Sequence, residues 1–161
     1  MEFYKAGTSL DEGEKFCCQF TKDLYWQNIE SDEKNYIVIN CEDLNQAKKL
    51  DDFLWENISD IFLPHKICND LDSPDAPILI SFPGIKHPCN KNTYLINLNP
   101  KLPSNFQDFK SSYQLVIEDE QRVDFDINGN PKDRVCIYQN WLYLVPINSK
   151  ENFTISSVRY I

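Results

Sequence analysis

Glycine is scarce in this chain. Gly7, Gly13, Gly84 and Gly129 are the only four in 161 residues. None stands in G-x-G-x-x-G or P-loop spacing, so no backbone cradle for a phosphate can be read. The turn Gly7-Thr8-Ser9 offers a helix N-terminus to an anion, but Ser9 capping the following helix accounts for the same residues. Histidine is scarcer still, with His65 and His87 alone, and no Ser–His–Asp arrangement can be read. His65 with Cys68 and His87 with Cys89 make a zinc set only if two separate loops meet; otherwise each histidine bonds within its own turn. Long apolar runs are absent, so no segment is predicted to span a membrane. The opening MEFYKAGTSL has no basic stretch followed by an apolar one, which excludes a secretory signal of the usual kind. The six cysteines form no C-x-x-C pair, and with no export signal they are predicted to be reduced thiols in the cytoplasm. Positive charge is also short: 16 Lys and Arg face 25 Asp and Glu, a net of −9. A chain so charged is a poor direct binder of nucleic acid, where affinity rests on cations meeting phosphates.

What is present is enough for one domain with a core. Apolar residues make up 42 % of the chain, ordinary for a globular protein. Glu2 to Ala6 reads as a first strand. Ser9 with Glu12 forms a capping box, and Phe16, Phe20 and Leu24 recur at four-residue spacing, which predicts a helix to about Gln27. Tyr36 to Cys41 is a β-branched apolar run, hence a buried strand. Asp43 with Gln46 makes a second capping box, and Leu44, Ala47, Leu50 and Leu54 predict a helix over 44–57 with one apolar face. Asn69 to Pro77 reads as an exposed loop. Ile78–Phe82 and Tyr94–Leu98 read as strands, Phe106, Phe109 and Tyr113 as a third short helix, and Leu115–Ile117 as a further strand. The order predicts an α/β fold: an open, mostly parallel Rossmann-like sheet with helices on both faces, in a single domain. Beyond it, DINGNP at 126–131 is a turn, and Lys132–Tyr138 fits a helical turn or a strand equally.

Two features are left over. Glu42 and Asp43 fall at the carboxyl end of a strand, where open α/β sheets bind ligands. Paired carboxylates there suit a metal or acid–base work; a helix cap beside a favourable helix dipole explains them too. Trp55, Phe62 and Pro64 are not accounted for by the apolar face of the second helix. Either Trp55 closes that core, or Trp55 and Phe62 together form an exposed protein-binding patch.

The segment from Tyr36 to His65 resembles the chi subunit of bacterial DNA polymerase III, an accessory protein of the clamp-loader complex. The resemblance is carried by Cys41-Glu42-Asp43, Gln46-Ala47, Leu50-Asp51, Leu54-Trp55 and Phe62-Leu63-Pro64-His65. It covers about residues 1–110 in order, within a single chi-like domain over 1–161 whose portion 114–161 diverges. The resemblance implies a non-catalytic replication subunit without cofactor or metal. It implies that Trp55, Phe62 and Pro64 bind psi, the small partner that tethers chi to the clamp loader. It also implies a second partner, the acidic C-terminal tail of single-stranded DNA-binding protein. That tail requires cations beside an apolar pocket, and Lys132, Arg134, Val116 and Tyr138 are the residues to supply them. Residues 1–100 carry 9 basic and 17 acidic side chains, a net of −8; residues 101–161 carry 7 and 8, a net of −1. An acidic partner is therefore repelled least by the C-terminal third. The rival reading is a small α/β enzyme using a nucleotide or metal at Glu42 and Asp43.

Overall fold

A run of β-branched and leucine side chains without alternating polar residues needs cover on both faces, and the sheet of this protein has it. The structure is a computed structural model that describes residues 2–32, 34–56, 62–69, 75–99 and 103–117. Its strands are β1 (Glu2–Gly7), β2 (Tyr36–Asn40), β3 (His65–Ile67), β4 (Ile78–Ser81), β5 (Thr93–Asn97) and β6 (Ser111–Ile117). They form one six-stranded sheet in the order β1-β6-β5-β2-β4-β3, with every pairing parallel. Two long helices, α1 (Leu10–Glu30) and α2 (Leu44–Glu56), follow β1 and β2. The open, parallel α/β class expected from the sequence is the class observed.

Strand parity sorts the core into two layers. Ile37, Ile39, Ile78, Ile80, Ile96, Leu115 and Ile117 point to one face, where Cys17, Phe20 and Leu24 of α1 and Ala47, Leu50 and Leu54 of α2 close over them. Val38, Leu79 and Leu95 point to the other, under Phe109 and Cys68. There the cover comes from the 82–92 loop and a single 3-10 turn at Phe106–Asp108, through Ile85, Cys89 and Phe106.

Both helix starts are capped by the expected pairs, with the Glu and Gln side chains reaching back to the amide one residue before the cap. Ser9 Oγ accepts from the Glu12 amide at 3.2 Å, and the Glu12 carboxylate accepts from the Thr8 amide at 2.8 Å. Asp43 Oδ1 accepts from the Gln46 amide at 2.8 Å, while Gln46 Oε1 accepts from the Glu42 amide at 2.8 Å. Gly7 turns the chain from β1 into α1 with φ 129°, a backbone disfavoured for any side chain, and its added Cβ would lie 2.7 Å from Glu12 Cβ.

Four expectations are corrected. Helices are expected on both faces, but among the described residues α1 and α2 both pack on one face, and the other is covered by a loop and a 3-10 turn. Phe106, Phe109 and Tyr113 do not share a helix: the 3-10 turn ends at Asp108, and Tyr113 lies inside β6. Tyr113, Leu115 and Ile117 alternate with Ser112 and Gln114, so the period is that of a strand. Leu44 does not join the buried stripe of α2; as the first residue of the helix it overhangs the core and is exposed. The strand β3 was missed, because three residues after a proline carry too little pattern to announce one.

Candidate functional site

Neighbouring residues part ways at the amino-terminal edge of the sheet. Leu54 and Leu63 are buried in the helix-face core. Trp55 and Phe62, one residue away from each, are 54 % and 65 % exposed. Helical geometry sets the first split, since consecutive residues point about 100° apart. Extended backbone sets the second, since alternate residues point to opposite sides. The two aromatic rings meet, with centroids 5.9 Å apart and planes tilted by 47°. Pro64, half-buried, leads directly into β3.

Behind the pair stands His65. Its ring centroid lies 4.7 Å from that of Trp55. Its side chain is fully buried, with Nδ1 donating to the Leu63 carbonyl at 2.7 Å. Nε2 lies 3.2 Å from the Asp51 carboxylate, within ion-pair distance but without hydrogen-bond alignment. Asp51 is one helical turn before Trp55. His65 therefore touches both pieces of chain that build the patch, α2 and the segment leading into β3. The sequence placed it only in a turn; its contact with Trp55 depends on β3 pairing beside β4, which no local pattern announces.

The other candidate residues are placed differently. Glu42 and Asp43 stand at the opposite end of α2, where Asp43 is spent on the cap. The crossover after β2 runs over the helix face and the one after β5 over the other face, so the carboxyl ends of β2 and β5 flank the crevice in which such sheets hold ligands. In this chain the crevice is stitched by its own carboxamides. Asn40 Nδ2 donates to Asn97 Oδ1 at 2.9 Å, the Asn99 amide donates to the Asn40 carbonyl at 3.2 Å, and Asn99 Nδ2 donates to the Cys41 carbonyl at 3.3 Å. Ser81, Asn40, Asn97 and Gln114 share one register level across β4, β2, β5 and β6. The row is invisible in sequence because it requires the register of four strands at once.

His65 faces α2, whereas Cys68 and Cys89 belong to the core of the opposite face and the His87 ring lies 6.0 Å from Phe109 there. The four residues do not converge, and no group of three metal-ligating side chains occurs among the described residues. Among those residues no helix is long and apolar enough to cross a membrane. Val116 lies in β6, and Lys132, Arg134 and Tyr138 fall outside the described residues.

Comparison with known proteins places the whole arrangement. The family described as DNA polymerase III chi subunit, HolC, matches residues 1–125. Similar proteins include the DNA polymerase III subunit chi of Escherichia coli strain K12, 30 % identical over 82 residues, which are 51 % of this chain and 52 % of that one. The subunit chi of Haemophilus influenzae is 32 % identical over 82 residues, 51 % of this chain and 54 % of that one. The match thus spans about half the length of these relatives. With that match covering residues 1–125, the sheet and both long helices included, the chain belongs to the DNA polymerase III chi subunit family.

Proposed function

We propose that this protein is a non-catalytic adaptor of the replicative polymerase, joining the clamp loader, through psi, to single-stranded DNA coated by its binding protein. The observation that carries the reading is the exposed Trp55–Phe62 pair. A Trp and a Phe in contact on the surface give up burial that either would gain in a core, and such pairs are the usual anchors of protein interfaces. Docking of psi through Trp55, Phe62 and Pro64 restores that burial. The acidic balance of the chain supports a link to DNA through a protein rather than through phosphate contacts. The second partner is the acidic tail of single-stranded DNA-binding protein, and Lys132, Arg134, Val116 and Tyr138 are the residues assigned to hold it.

The test is substitution at the patch. Trp55→Ala and Phe62→Ala each weaken psi binding by roughly 100-fold, the scale of a hot-spot loss, and leave the melting midpoint within a few degrees of wild type. Truncating a buried aromatic instead costs about 3–5 kcal/mol. Calorimetric titration with psi, paired with melting curves, decides between them. A large loss of stability with binding intact would sink the reading.

A further inference from the structure

We propose that His65 is a positioning residue for docking: its buried ring is the wall that holds Trp55 in its outward pose. The inference rests on the docking reading above. An exposed indole at the end of a helix has several rotamers open to it, and freezing one on binding lowers affinity. Here one side of the indole is already occupied by the imidazole, with centroids 4.7 Å apart and planes inclined by 56°. The imidazole is itself fixed. Nδ1–H is bonded to the carbonyl of Leu63, a residue buried in the core, and Nε2 faces Asp51 on the same helix as Trp55. Leu63 lies between Phe62 and Pro64, so a single ring ties the segment carrying Phe62 to the helix carrying Trp55. Both anchors are thereby set before a partner arrives.

The experiment uses the full chain with Trp26→Phe and Trp141→Phe, which leaves Trp55 as the only indole. Time-resolved anisotropy of Trp55 is read in the unbound protein, and affinity for psi is read separately. His65→Asn keeps an N–H for the Leu63 carbonyl and removes the ring. It is expected to free local motion of Trp55 and weaken psi binding about 5–10-fold, the cost of ordering one side chain. His65→Phe restores the wall and is expected to return both readouts toward wild type. If His65→Asn does not fold, His65→Phe against His65→Leu asks the same question, since both lack the N–H and only one has a ring. Wild-type order of Trp55 in the ring-less variant overturns the proposal, as does a loss that the phenylalanine does not rescue. Failure of the wild-type chain to bind psi at all defeats the docking reading instead, while the anisotropy of the unbound protein still decides the role of His65.

Discussion

Glu14 on α1 is 2 % exposed and faces Gln46 and Lys49 of α2. Burial pushes its carboxyl above the usual range, and the Lys49 charge pulls it partway back. A carboxyl raised in the folded state favours folding while protonated, and that contribution fades as pH rises through the folded value. Glu14→Gln should therefore raise the melting midpoint at pH 7 by about 2 °C, with the gain shrinking toward pH 4. Melting curves across that range check it; a gain independent of pH would assign the effect to packing alone. Burial acts the same way on the thiols beside it, raising Cys17 and Cys41 far above their ordinary value and Cys18 to about 12. None of this shows in the sequence, where Glu14 reads as one more acid in a polar first turn. The exposure of Trp55 was indicated only through the family resemblance, because tryptophan is buried on average and spacing alone does not show that Phe62 and His65 stand beside it.

Elements announced themselves where their signals were local. The capping pairs at Ser9 and Asp43 lie within four residues each, and both formed as spaced. Asp43→Ala should cost about 1 kcal/mol, as the loss of a helix cap does, and lower the midpoint by about 2–4 °C. A denaturant melt is the measurement, and an unchanged midpoint would mean that Gln46 alone holds the α2 start. The segment after Pro103 misled for the opposite reason. Phe106 and Phe109 are three apart, as on a helix, and both pack on the same face of the sheet, Phe109 buried and Phe106 at its margin, yet the 3-10 turn that carries Phe106 ends at Asp108. The Lys110 amide then bonds the Thr93 carbonyl at 2.9 Å, which starts β6 and ends any helix. The close seat of α1 was also hidden. A Cβ at Gly13 would overlap the Ile117 side chain, so that glycine is a packing requirement between residues far apart in sequence.

Across the whole molecule the charge is lopsided, −8 over residues 1–100 and −1 over residues 101–161. An acidic tail peptide approaching the first part meets repulsion that the last part lacks. Replacing Lys132 and Arg134 by Ala should weaken a labelled acidic tail peptide at least several-fold and leave psi binding, assigned to Trp55 and Phe62, intact. Wild-type affinity should fall with added salt. Fluorescence anisotropy at two salt concentrations reads both, and equal binding by the wild type and the double variant would place the tail elsewhere. The sequence disclosed the fold class through the order of its apolar runs and the family through motifs between Cys41 and His65. It could not disclose the polar row across β4, β2, β5 and β6, nor that His65 stands behind Trp55, because both need partners brought together by the finished sheet.

The pairing of β1 with β6 also sets a schedule. Residues 2–7 find their strand partners at 113–117, and β1 has no other strand neighbour among the described residues. At about 5–20 residues per second, a ribosome making this chain holds the first strand unpaired for roughly ten seconds before the matching one emerges. Tyr4, whose ring packs 4.8 Å from Phe20 and 6.0 Å from Tyr113, waits for half of its cluster over the same interval. Nascent chains arrested before residue 117 clears the exit tunnel should remain protease-sensitive through β1 and α1, and chains arrested beyond it should resist. Residues 2–7 are thus made well before the strand that secures them, and they wait as an open sheet edge within reach of cellular helpers.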